Sequence, residues 1–307
     1  MSVVTVTPNP ALDLTYTVER LEPGTVHRIG TVHSRPGGKG LNVARVLHAL
    51  DVPVTVTGLV GGAEGTALRA GVGELGIADA FVAADIQTRR TVNIVDQSSG
   101  DATLFNEPGP RVSADQWAVL ADRVSALATA GEVVVVSGSL PPGVDPDMLG
   151  DLVRAISAAG APAVVDVSGD VLPAVVSAAP YVVKPNAEEL RAATGIGDPR
   201  SAARALTEAG GCVVVASLGP DGLLAVTGDA SWTARLAKPL TGNPTGAGDS
   251  VVAALSAGIL AGRSWPDMLR DACALSAATV RAPVAGEYDA DAYARLKPAV
   301  EIHEVTL

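Results

Sequence analysis

Asp249 is the residue around which this chain can organise chemistry. It closes the stretch Gly242-Asn-Pro-Thr-Gly-Ala-Gly-Asp249 and falls in the first turn of the helix expected from the apolar run Val251 to Leu260. The opening amides of a helix have no intrahelical acceptor and sit at the positive end of the peptide dipoles. Gly246, Ala247 and Gly248 add almost no bulk, so a ligand can reach those amides, and the loop reads as a place to hold an anion. A carboxylate beside a held phosphate takes a proton or holds a metal. In isolation a glycine turn with a capping Asp would look the same. The helix start is expected to lower the Asp249 pKa.

The neighbours of the other apolar runs tip that balance. In an open parallel sheet, ligands bind beyond the carboxyl ends of the strands. Val133–Val136 is followed by Ser137-Gly-Ser139-Leu-Pro, Ala163–Val165 by Asp166, and Val182–Val183 by Lys184-Pro-Asn186-Ala-Glu-Glu189. Val213–Val215 leads into Ser217-Leu218-Gly219-Pro-Asp-Gly222, and the first strand, Val3–Thr7, into Asn9-Pro-Ala-Leu-Asp13. Each is an ordinary turn alone; together they put small and ionisable groups on one rim with the Asp249 loop. Asn186 and Glu189 stand three apart at a helix start, where they would either cap the helix or hold a water-rich Mg²⁺. Gly37-Gly38-Lys39-Gly40 is not a nucleotide-binding Walker loop, because no Ser or Thr follows the lysine. It still allows close backbone approach beside a built-in cation. Gly71-Val-Gly-Glu-Leu-Gly76 has dinucleotide-fingerprint spacing but lies late in a helical stretch, and is set aside.

The elements that must position these residues follow from pattern. From Ser113 onward, short runs of β-branched residues alternate with helices (Ser113–Leu127, Pro146–Ala159), as in a mostly parallel sheet covered on both faces. Earlier helices are expected over Val43–Leu50 and Glu64–Leu75. Two segments break the pattern. Residues 13–34, with strands at Leu14–Val18 and Val26–Val32, and residues 88–108, with a turn at Ser98–Asp101, mix β-branched and polar residues like strands with one wet face. They are expected to form a small sheet standing off a single domain of residues 1–307.

Composition narrows the function. The 307 residues are 48% apolar and only 18% charged, with a net charge of −11. That suits a large core, and without a basic patch it argues against nucleic-acid and membrane partners. Cys212 and Cys273 lie in apolar stretches without metal-ligand spacing and read as buried thiols. The first residues lack the pattern of a signal peptide and no apolar run is long enough to span a bilayer, so a cytoplasmic protein is expected.

At Asn9–Asp13, Pro36–Asn42, Ser137–Pro141, Lys184–Glu189, Ser217–Gly222 and Asn243–Ser250 the sequence resembles the ribokinase-like, PfkB-type carbohydrate kinases, in order and over essentially the whole chain. Lys39 within Gly-Gly-Lys-Gly points to the hexose-phosphate branch that holds 1-phosphofructokinases and tagatose-6-phosphate kinases. The resemblance implies a three-layer α/β fold with a β lid, often the homodimer interface. It implies ATP-dependent phosphorylation of a sugar phosphate, with Asp249 as base and the Gly246, Ala247 and Gly248 amides as anion hole. Asp13, Gly37, Gly38, Asn42 and Ser139 would surround the sugar, and Lys39 with Arg89 or Arg90 would take its phosphate. Ser217, Leu218, Gly219, Gly222 and Gly248 would meet the nucleotide, Lys184 would lie near its phosphates, and Asn186 and Glu189 would steady Mg²⁺. Kinases of tagatose 6-phosphate, fructose 6-phosphate or a nucleoside, or a non-catalytic sensor on the same scaffold, are the rival readings.

Overall fold

The computed structural model describes every residue except 239, 241, 283, 306 and 307, so Thr241, at the head of the loop leading to Asp249, lies outside the described residues. Val133–Val136 are consecutive β-branched residues, which suit a pleated strand better than a helix. They form a central strand, paired in parallel with Val3–Val6 on one side and Ala163–Asp166 on the other. The ten-stranded sheet runs Val300–Glu304, Ser231–Leu236, Leu223–Val226, Val213–Ser217, Val182–Val183, Ala163–Asp166, Val133–Ser137, Val3–Val6, Val54–Thr57, Ala78–Asp79. Pairing is parallel from the Ala78 edge as far as Val213–Ser217 and antiparallel beyond. Two of those antiparallel strands, Ser231–Leu236 and Val300–Glu304, carry no run of β-branched residues and were not anticipated.

Side chains alternate across a strand. Val134 and Val136 therefore pack into the layer holding helices Ala114–Leu127, Pro146–Ala158 and Pro199–Gly210. Val133 and Val135 face the opposite layer, which holds helices Lys39–Ala49, Gly62–Glu74, Ala247–Leu260 and Trp265–Thr279. Each valine removed from water contributes about 1.5–3 kcal/mol, so a strand with no polar face is held firmly between its layers. The result is the expected three-layer α/β sandwich. The fingerprint-like Gly71–Gly76 lies at the end of the Gly62–Glu74 helix, as read. Among the described residues no helix is long and apolar enough to cross a membrane.

A second sheet of four strands runs Val32–Gly37, Ala11–Val18, Arg89–Asp96, Ala102–Asn106. Its last two strands join where expected, with Gly100 at φ 77° and the Asp96 carboxylate accepting the Ser98 amide at 2.8 Å. The strand expected over Val26–Val32 is displaced. Val26 is 84% exposed, and the hydroxyl of Thr25 donates to the Glu22 carbonyl at 2.9 Å, folding this stretch on itself. Pairing begins instead at Val32 and runs through Pro36, which an edge strand tolerates because one side of its backbone needs no partner. The helix after it starts at Lys39, earlier than the apolar pattern indicated. Gly38, at φ 111°, makes the strand-to-helix corner in a conformation that favours glycine.

Candidate active site

Gly246, at φ 84°, turns the chain into the Ala247–Leu260 helix, and Asp249 follows in its first turn. The carboxylate is only 5% exposed, and its Oδ2 accepts a hydrogen bond from Asn42 Nδ2 at 2.9 Å. Burial, reinforced by the negative charge of Asp166, pushes its pKa up to about 7, against the lowering pull of Asn42, Lys39 and Lys184. This reverses the expectation that the helix start would lower it. The acid has lost nearly all its water, and desolvation is the largest influence on it. An acid poised near neutrality can give or take a proton at working pH. Of the three small-residue amides, that of Ala247 donates to the Pro244 carbonyl at 3.1 Å. The Gly246, Gly248 and Asp249 amides have no acceptor among the described residues.

Asp166, at the end of its strand and 1% exposed, ties the rim together. Lys39 Nζ and Lys184 Nζ each lie 3.4 Å from its Oδ1, reaching it from a helix start and a strand end far apart in sequence. A carboxylate between two ammonium groups offsets the repulsion that would otherwise set them against each other. Burial works against the Lys39 charge, but Asp166, Asp249 and Glu189 outweigh it and raise its pKa. Lys184 is buried, and a Cβ added at Gly248 would stand 3.4 Å from its Nζ. The cation therefore lies directly beside the helix start that carries the open amides.

On the small-sheet side, Asp13 occupies the mouth of the site. A Cβ at Gly37 would land on its carboxylate, so that glycine is required by contact. Burial raises the Asp13 pKa while Arg35, Arg89 and Arg45 pull it down. The two candidate arginines diverge, as adjacent strand residues must. Arg89 Nε donates to the Asn9 carbonyl at 3.1 Å and its charge acts on Asp13. Arg90 is paired on the exposed side with Glu107 at 3.1 Å. Ser139 lies 3.5 Å from Asn9 Nδ2, and Asn42 keeps a buried Oδ1 with no protein partner among the described residues.

Gly248 also lines a cavity of about 670 Å³. Ser217, Gly219 and Gly222 line it together with the apolar Val251, Cys273 and Val280. Leu218 instead packs against the core. Asn186 and Glu189 form a reciprocal cap, Asn186 Oδ1 accepting the Glu189 amide at 2.8 Å and Glu189 Oε2 the Asn186 amide at 2.9 Å. Among the described residues no cluster of three or more His, Cys, Asp or Glu side chains could hold a metal ion.

Comparison with known proteins accounts for this arrangement. Residues 7–290 match the family model described as pfkB family carbohydrate kinase. The chain belongs to the pfkB family of carbohydrate kinases. Its relatives include a 1-phosphofructokinase of Xanthomonas campestris, 39% identical over 85% of each chain. A 1-phosphofructokinase of Escherichia coli is 35% identical over 98% of this chain and 97% of its own. Among solved structures, phosphofructokinase-2 from Escherichia coli in complex with fructose-6-phosphate is similar at 30% identity and a TM-score of 0.89, over 97% of this chain and 98% of that one. This pfkB-family kinase is thus a phosphotransferase whose acceptor is an alcohol group.

Two features of the kinase's site carried no distinguishing signal in the sequence. Asp166 was visible at a strand end, but nothing in Val-Val-Asp-Val distinguishes a hub from a turn. Cys273 packs with the core from the Trp265–Thr279 helix and Val280 follows just past its end, so the apolar wall they form carries no separate signal.

Proposed function

We infer that this kinase transfers the γ-phosphoryl group of ATP to the C6 hydroxyl of fructose 1-phosphate, giving fructose 1,6-bisphosphate and ADP. The observation that carries the substrate is Lys39, held charged at the site mouth in a chain related to two proteins named 1-phosphofructokinase. Lys39, with Arg89, binds the phosphate already on the sugar. Arg89 is favoured over Arg90 by its reach toward Asp13. Asp13 and the unpartnered Asn42 Oδ1 accept hydrogen bonds from sugar hydroxyls.

Asp249 removes the proton of the attacking hydroxyl as its oxygen bonds to the γ-phosphorus and the bond to the β-phosphate oxygen breaks. The transition state is loose, so positioning and charge neutralisation matter more than base strength. The open amides and Lys184 supply that neutralisation. The cavity lined by Gly248 suits ATP: apolar side chains for a flat base, and glycines that let phosphates approach backbone. Asn186 and Glu189 suit Mg²⁺ that keeps most of its water, since their cap leaves Glu189 Oε1 free among the described residues. The ion would neutralise phosphate charge.

We read the whole chain as one cytoplasmic kinase domain with the small sheet as lid. Leu104 and Phe105, 48% and 56% exposed on its edge strand, support a homodimer through it. The activity is tested by ADP release with ATP, Mg²⁺ and each of fructose 1-phosphate, tagatose 6-phosphate and fructose 6-phosphate. The highest kcat/KM is expected for fructose 1-phosphate. A preference for fructose 6-phosphate would align the chain with its phosphofructokinase-2 neighbour, and thermal stabilisation without turnover would mark a sensor.

A further inference from the structure

Arg35 lies opposite Asp13 in the register of the small sheet, so both project from the same face toward the site. Its side chain is only 21% exposed and leaves its own sheet altogether: NH2 donates to the Ala285 carbonyl, and NH1 stands 3.6 Å from Glu287 Oε1. The turn it grips is tightly placed. A Cβ on Gly246 would meet Ala285 at 2.9 Å, and a Cβ on Gly286, itself at φ 78°, would stand 3.2 Å from Asn42. The Ala285–Gly286 turn therefore backs both the residue that opens the catalytic helix and the residue that hydrogen-bonds Asp249. Arg45 closes the other side, its Cδ packed against Gly286 and its NH2 3.4 Å from the Pro36 carbonyl.

We propose that Arg35 is a positioning residue for phosphoryl transfer: it fastens the small sheet to the Ala285–Gly286 turn and so fixes the open amides and Asn42 against Asp249. The inference rests on the kinase reading, but its test can be separated from it. Without the guanidinium the turn is free to shift, and a shift of an ångström in groups that must meet a transition state costs rate rather than ground-state affinity. No contact to a substrate is required of Arg35.

The test compares wild type, Arg35→Met and Arg35→Lys in steady-state kinetics and in amide hydrogen exchange of residues 246–250. In Arg35→Met, kcat is expected to fall roughly 10- to 100-fold with both KM values within about twofold, up to the loss that an ångström of misplacement produces. Exchange at residues 246–250 should quicken, and Arg35→Lys, which restores a charged donor, should recover part of both. A rise in sugar-phosphate KM at constant kcat would make Arg35 a substrate ligand and overturn the proposal, as would unchanged kcat. If wild type phosphorylates no sugar phosphate, the kinase reading fails, and exchange alone decides: unaltered protection at residues 246–250 in Arg35→Met overturns the latch.

Discussion

Asp249→Asn lowers kcat about 10²–10⁴-fold, the usual worth of a general base, with KM for both substrates nearly unchanged. The substitution keeps the side-chain shape beside Asn42 while removing the carboxylate's charge and its ability to take a proton. A pH profile identifies the same group. Because burial and Asp166 push the Asp249 pKa up to about 7, the free wild-type enzyme holds its base ionised above that pH and protonated below it. Wild-type kcat/KM should fall tenfold per pH unit as pH drops below about 7 and level off above it. The residual rate of Asp249→Asn should lack that limb. Steady-state rates across the range check both expectations; near-normal kcat in the variant, or an acid limb surviving it, would remove Asp249 from the base role.

Lys39→Met is the second large effect, and it falls on a different constant. Losing a charged partner to an anion costs roughly 1.5–3 kcal/mol, so the sugar-phosphate KM should rise about 10- to 100-fold. ATP KM should stay near its wild-type value. The assignment depends on geometry: Lys39 and Lys184 share one Asp166 oxygen at 3.4 Å, yet Lys39 side-chain exposure is 41% against 5% for Lys184. The open lysine can meet an incoming substrate; the buried one stands beside Gly248 at the helix start. Titrating each substrate against the variant separates the roles, and a rise in ATP KM instead would move Lys39 to the nucleotide side. Since Lys39 also lowers the Asp249 pKa, the acid limb of this variant should move to higher pH.

How much of this was readable beforehand varied with the physics involved. Valine runs buried on both faces announce parallel strands, and the small or ionisable residues after them mark the rim, so Asp249, Lys184 and Ser217 could be placed together from order alone. The Asp249 pKa could not. Its direction depends on how much water the folded site excludes, which no local pattern records. Register was also hidden: the strand expected over Val26–Val32 pairs over Val32–Gly37, because Pro36 at a sheet edge gives up no pairing. That shift is what brings Arg35 opposite Asp13. Asn186 and Glu189 were legible as a pair at a helix start, and the cap they form leaves room for the metal role without requiring it.

The account is tested most directly by phosphorus NMR of the products formed from fructose 1-phosphate, ATP and Mg²⁺. It predicts ADP together with a sugar bearing a second phosphomonoester, on C6, in equal amounts. Release of inorganic phosphate with the sugar unchanged, or no consumption of ATP, would contradict it.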